Sequence, residues 1–322
     1  MNKRSFLLGT TALSLLALNP ALAQDIPKKT ITLVVGFAAG GAVDTAARIV
    51  GKKLGENLGL TIAIDNRAGA GGNIAHGFVA NATPDGSVIL LGSVGPLSVA
   101  PHMMKLSYDP QKDLAPLTMG VNFPNVLVVH AGVGVKTLAE YIALAKRKPG
   151  ELNYASTGAG SAAHMAGEMF NQRAGVEIVH IPYKGGAPAM TDLLGGRIAG
   201  YFATPATAGP HIEAGKLIAL ATSGLERPSF MANVPTIAES GFAGFNATNW
   251  YAFVAPGKTP APILERWNQE LVKALNAPEV REELLKHGLT PKPGSRTELA
   301  NYIDSESKTW AQVIKERKIT AE

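Results

Sequence analysis

Runs of apolar residues alternate along this chain with stretches of helical periodicity. Residues 30–35 (TITLVV) form a short β-branched run. After Gly40 and Gly41, the apolar positions Val43, Ala47, Val50, Leu54 and Leu58 recur every three or four residues, which marks one helix face. Residues 61–64 read as the next strand, the stretch around 74–82 as a second helix, and 87–91 (SVILL) as a third strand. These strands are apolar on both faces, as in a parallel sheet covered by helices.

The middle of the chain repeats this logic. Strands are expected at 126–129, 152–155, 176–181, 198–202 and 217–221, with helices over 138–146, 161–174 and 187–194. Further on, 250–254 reads as a strand. A long helical tract starts near Pro262 and covers 264–275 and 280–285. Ser295 and Glu298 form a capping box before a last helix from Leu299 to about Lys315. The expected class is α/β, with two open doubly wound sheets. One lobe takes 24–124 and 226–322, the other 125–225, and the chain crosses between them twice. Ligands of open α/β sheets bind beyond the carboxyl ends of the strands, which places a site in the cleft.

The length of 322 residues also suggests two domains. Apolar types make up 46% and charged types 17%, which suits a globular protein and argues against wholesale disorder. The absence of cysteine excludes a disulfide scaffold, a thiol nucleophile and a Cys-ligated metal. Lys3 and Arg4 precede an apolar stretch over 6–18 that is too short to span a bilayer. Ala21-Leu22-Ala23 follows in the form of a cleavage site, so residues 1–23 read as a secretory signal peptide. Their removal takes two cations and no acid from a formal charge of +5. With no basic stripe, nucleic acid is not an expected partner.

Three loops carry candidate chemistry. Gly36-Phe37-Ala38-Ala39-Gly40-Gly41 leaves a strand and enters a helix. Its glycines let backbone N–H groups approach a ligand, and the helix start adds partial positive charge, so the loop suits a carboxylate. An ordinary βα turn is the alternative. Asp44 can serve the site or only the helix dipole. The second loop, Ser156-Thr157-Gly158-Ala159-Gly160-Ser161, offers three hydroxyls to an oxyanion, with a simple helix cap at Ser161 as the alternative. The third holds Tyr183, which can cover a ligand or donate its hydroxyl, and Lys184, a counter-charge or a solvated side chain. Thr204 is a further hydroxyl donor or a turn residue. Asn246, Asn249 and Trp250 can return to the cleft, and Trp250 equally suits the core.

Enzyme signals are poor. None of the seven histidines stands in H-E-x-x-H or at an obvious zinc spacing, so neither metal nor cofactor is expected. Ser93, in Leu91-Gly92-Ser93-Val94-Gly95, lacks the first glycine of a nucleophile elbow and is expected as a ligand contact. His164 lies three residues after Ser161, so a secreted serine hydrolase stays open as an alternative.

The motifs, in their order and spacing, resemble the Bug family of periplasmic solute-binding proteins of tripartite tricarboxylate transporters. They include ITLVVGFAAGGAVDTAAR (31–48), IDNRAGAGGNIA (64–75), YASTGAGSAAHMAGEMF (154–170), IPYKGGAPAMTDLLGG (181–196) and NWYAFVAPGKTPAPI (249–263). The resemblance spans essentially the whole chain after residue 23. It implies a type II periplasmic binding fold that captures a small organic acid for membrane subunits of the transporter; presentation of the ligand to a sensor kinase is the alternative, and a monomer suits such a shuttle. It implies that the loops at 37–41 and 156–161, the latter with Gly158 and Gly160, hold the ligand carboxylate, and that 183–185 borders the pocket. Family members usually carry prolines in the first loop, where this chain has Ala38 and Ala39.

Overall fold

The apolar runs assemble into two mixed sheets in a computed structural model that describes residues 25–317, 319 and 320. The signal-peptide reading of residues 1–23 lies outside the described residues. The first half supplies β1 (Ile31–Val35), α1 (Ala42–Leu58), β2 (Ile62–Asn66), α2 (Asn73–Ala80), β3 (Val88–Ser93) and β4 (Leu114–Pro124). Next come β5 (Val126–His130), α3 (Leu138–Arg147), β6 (Asn153–Ser156), α4 (Ala162–Ala174), β7 (Val179–Pro182) and α5 (Gly186–Leu194). β8 (Gly200–Ala203), α6 (Pro205–Glu213) and β9 (Leu217–Thr222) complete this part. The last elements are β10 (Thr248–Pro256), α7 (Ala261–Asn276), α8 (Pro278–Lys286), β11 (Thr290–Pro291) and α9 (Arg296–Arg317).

One sheet has the order β11-β4-β10-β3-β1-β2 and the other β7-β6-β8-β5-β9. β1 pairs in parallel with β2 and β3, and β6 with β7 and β8. The strands that join the halves, β10 and β5, run antiparallel to their neighbours. The chain passes from the first sheet to the second at Asn125. After β9 it does not return at once: Thr236 bridges Thr222, and the Phe242 ring lies 6.3 Å from Phe170 of α4. Residues 229–245 therefore lean on the second sheet, and β10 re-enters the first.

One core lies between the first sheet and α1 and α7, and a second runs from the other face of that sheet into the second sheet. Trp267 of α7 is fully buried in the first, with its Nε1–H donating to the Gly86 carbonyl at 2.9 Å. Tyr154, Phe170 and Phe202 pack beside one another in the second. Trp250 is core, its indole N–H held by Glu306 of α9 at 3.1 Å. β4 has no counterpart among the expected strands, because Pro116 and Gly120 interrupt its sequence. β11 pairs only with Val121 and Asn122, so Pro116 sits where β4 is an edge and lacks no ladder partner on that side. The capping box at α9 is formed: the Ser295 Oγ accepts from the Glu298 N–H, and the Glu298 carboxylate accepts from the Ser295 N–H.

Candidate functional site

Four helix starts converge on one cavity between the sheets. Gly41, Ala42 and Val43 open α1, and Ser161, Ala162 and Ala163 open α4; all six line the cavity. Gly186, the first residue of α5, and Thr204, the N-cap of α6, line it too. First-turn N–H groups have no acceptor within their helix and carry the positive end of its dipole. Phe37, Phe202 and Tyr251 add aromatic walls, and Ser93 and Thr157 add hydroxyls. Among the described residues, none of those that line the cavity is Lys, Arg, His, Asp or Glu. Backbone donors, hydroxyls and side-chain amides are thus what the cavity offers an anion.

The cleft is closed. The space open to water-sized spheres is about 30 Å³, room for a few waters. Across its mouth the Ala38 N–H donates to the Lys184 carbonyl at 3.1 Å. Gly71 abuts Gly158 and Ala159, and Gly95 abuts the Gly160 carbonyl, so tightly that a Cβ on either would collide with the opposite backbone.

Of the candidate residues, Phe37, Gly41, Ser93, Thr157, Ser161 and Thr204 line the cavity. The others stand behind it or on its rim. Ala39 and Gly40 are exposed, and the Gly40 N–H donates to Asp44 Oδ2 at 3.0 Å. Asp44 is buried behind the first loop and does not face the cavity. It accepts two bonds from Arg48 at 2.9 Å and one from Asn66 Nδ2 at 3.0 Å. Burial acts to raise its pKa, but these bonds outweigh that and hold the carboxyl below its usual value. Asn66 also donates to the Phe37 carbonyl, so this network fixes the loop.

The second loop is fixed by neutral groups. The Ser156 Oγ lies 2.5 Å from His180 Nε2 and accepts from the Gly158 N–H at 3.0 Å. The Gly160 N–H donates to His164 Nδ1 at 3.1 Å. The two imidazoles stack with centroids 4.1 Å apart. Burial, with the neighbouring His180 second, pushes His164 down to about 3, and burial pushes His180 down to about 4. Ser161 Oγ caps α4 by accepting the His164 backbone N–H at 3.3 Å. The His164 ring is engaged by Gly160 rather than by the Ser161 hydroxyl, which is not the geometry of a nucleophile and its base. Among the described residues no cluster of His, Asp or Glu could hold a metal.

Tyr183 donates to Asp192 Oδ2 at 2.7 Å, beside the cavity, and the Lys184 side chain is exposed, so its backbone carbonyl is what reaches the cleft. Asn246 is exposed, while Asn249 lines the cavity. Asn125 and Tyr201 also line it and were not expected. The sequence signal for Asn125 is slight: a lone amide between Pro124 and an apolar run, at the point where the chain changes sheets.

Comparison with known proteins gives the same picture. The family described as "Tripartite tricarboxylate transporter family receptor" matches residues 46–319. Protein BugT of Bordetella pertussis is 36% identical over 299 residues, covering 92% of each chain. The solved structure of Rpa4515 from R. palustris with adipate superposes with a TM-score of 0.88 at 33% identity, covering 92% of this chain and 99% of that one. MatC from Rhodopseudomonas palustris with bound malate gives 0.86 at 31% identity, covering 89% and 99%. With this fold, this cavity and a family match across most of its length, the chain belongs to the receptors of the tripartite tricarboxylate transporter family.

Proposed function

We propose that the protein is a periplasmic receptor that binds a small organic acid in the cleft and hands it to the membrane subunits of a tripartite tricarboxylate transporter. The observation that carries this reading is the convergence of four helix starts on a cavity that no charged side chain lines among the described residues. The carboxylate sits against the first turns of α1 and α4, near the Ser161, Thr157 and Ser93 hydroxyls. Phe37, Gly41 and Thr204 complete its surroundings. Asp44, Ser156, Gly158, Gly160 and His164 shape the two loops from behind, and Ala38, Ala39, Gly40, Tyr183 and Lys184 form the rim.

The lobes are 24–124 with the C-terminal part of the chain, and 125–225 extended by the segment that leans on it. They separate to admit a ligand and close over it, because the closed space is too small for an acid of four carbons or more to enter. The closed form is what the membrane partner recognises, and the receptor works as a monomer without chemical turnover. The carboxylates named for the two R. palustris relatives support this class of ligand.

A thermal-shift screen of the refolded protein against about fifty small carboxylates tests the reading. A ligand at 100 times its Kd adds about 2.7 kcal/mol. At about 2–4 °C per kcal/mol, the melting temperature should rise by roughly 5–10 °C. A flat response across the panel refutes carboxylate capture by the isolated receptor.

A further inference from the structure

The helix starts explain how one end of a ligand is held. The cleft floor raises a separate question. Asn125 lies where the chain leaves the first sheet and is locked there by Ser223: its N–H donates to Ser223 Oγ at 2.9 Å and its carbonyl accepts from the Ser223 N–H at 2.8 Å. Asn249, near the start of β10, donates from Nδ2 to Asn125 Oδ1 at 3.3 Å. Both side chains are buried and line the cavity. Yet among the described residues Asn125 Nδ2 and Asn249 Oδ1 find no hydrogen-bond partner, and neither does the fully buried Tyr201 hydroxyl on the same cavity. A buried polar atom left unpaired costs about 1–3 kcal/mol, so such atoms mark where a ligand's own groups fit.

The pairing also dictates the chemistry. Once the two amides bond to each other, the pair shows one donor, Asn125 Nδ2, and one acceptor, Asn249 Oδ1. Turning one amide sets like atoms together, and turning both exchanges the roles and leaves one donor and one acceptor again. A carboxylate has only acceptors and would face the amide oxygen unpaired. Among the described residues, no cation lines the cavity to offset a second buried charge.

We infer that Asn125 and Asn249, with Tyr201, form a neutral subsite that reads the uncharged end of the ligand. The preferred ligand is then a monocarboxylate whose other end both donates and accepts, a primary amide or an alcohol, rather than a dicarboxylate. This rests on the carboxylate reading above.

The experiment is calorimetric titration of the refolded protein with matched pairs: succinate against its half-amide, adipate against its half-amide, and the corresponding ω-hydroxy acids. In at least one series the half-amide or hydroxy acid should bind at least about tenfold more tightly than the dicarboxylate, as expected where a polar site rejects a mismatched group. Asn249→Ala should erase that preference, since it removes the acceptor that discriminates. A dicarboxylate binding as tightly as its half-amide and hydroxy analogue overturns the inference and leaves carboxylate capture standing. So does a preference that survives in both Asn249→Ala and Asn125→Ala. Silence from every acid overturns the carboxylate reading and the inference together. The comparison within the unaltered protein decides the matter even if a variant fails to fold.

Discussion

The two loops that flank the cavity do the same task with opposite electrostatics. Both leave a strand, turn through glycines and open a helix. The first is tied by a buried carboxylate: Asp44 gathers Gly40, Asn66 and Arg48. The second is tied by uncharged imidazoles: His180 on Ser156 and His164 on Gly160. A charged anchor is tolerable in the first loop because Arg48 is half exposed and keeps Asp44 paired at the rim. Behind the second loop, among the described residues, no such cation is bonded to His164 or His180. Their acid neighbours are Glu168, 4.0 Å from His164 and bonded to Tyr154, and Glu177, which lines the same surface hollow. Loop geometry can thus be fixed by strong charge-assisted bonds or by weaker neutral ones, and the choice sets what disturbs each loop.

The charged anchor should give the largest effect. Asp44→Ala removes the acceptor for four donors on three residues at once, deprives the Gly40 N–H of its partner and leaves the Asn66 amide only the Phe37 carbonyl. A loss of about 2–4 kcal/mol in urea unfolding is expected, with ligand binding lost through the displaced first loop. Asp44→Asn, which keeps part of the bonding, should lose less. A stability within 0.5 kcal/mol of the unaltered protein, an order-of-magnitude bound for neutral surface changes, would mean that Asp44 does not hold the loop.

Acid should then take the two anchors apart in order. His164 and His180 have folded pKa values of about 3 and about 4, below the ordinary 6.5. The unfolded chain therefore binds protons that the folded chain refuses, and stability falls as pH drops from about 6.5 toward 4. Each histidine contributes a slope approaching about 1.4 kcal/mol per pH unit in that window. His76, buried and lowered to about 4, adds to the same slope. Asp44 behaves differently. Its carboxyl is held below the ordinary value, so its contribution is intact above about 4 and is lost only at lower pH. His180→Gln should flatten the melting-temperature profile between pH 4 and 6.5, and leave the decline below pH 4 in place. An unchanged profile would remove the histidines from the account of the second loop.

The same contrast shows what the sequence makes legible. Strand, glycine and helix start are local features, so both loops and the helices behind them can be read from residue order. The α/β alternation and the family resemblance rest on such features too. Asp44 stands four residues before Arg48 in a helix, yet nothing local says that it faces the loop rather than the ligand. That depends on Asn66 arriving from β2. Asn125 and Tyr201 are harder still. Each is a single polar residue in or beside an apolar run, and only the antiparallel pairing of β10 with β4 brings Asn125, one residue past β4, to Asn249. β4 was hidden because the proline and glycine that punctuate its sequence are tolerated at an open edge. The packing of residues 229–245 on the second sheet follows from aromatic contacts between distant segments, which periodicity does not report.

The smallest perturbation of fold should separate closure from loop anchoring. Gly95 sits in a π-helical turn that any residue can adopt, without the left-handed φ of Gly71 or Gly158. A Cβ added there would lie 2.7 Å from the Gly160 carbonyl of the second loop. Gly95→Ala therefore places one methyl in the closing seam and strains no backbone of its own. Stability without ligand should change by no more than about 0.5 kcal/mol once the lobes part slightly. Ligand affinity should fall by about tenfold, because the closed form now carries a steric cost of roughly 1–3 kcal/mol. The dissociation rate should carry most of that change, since the methyl obstructs the closed complex and not the open encounter. Equal affinity in Gly95→Ala would mean that the ligand-bound lobes stop short of this seam, and that the two loops hold their acid from a wider cleft.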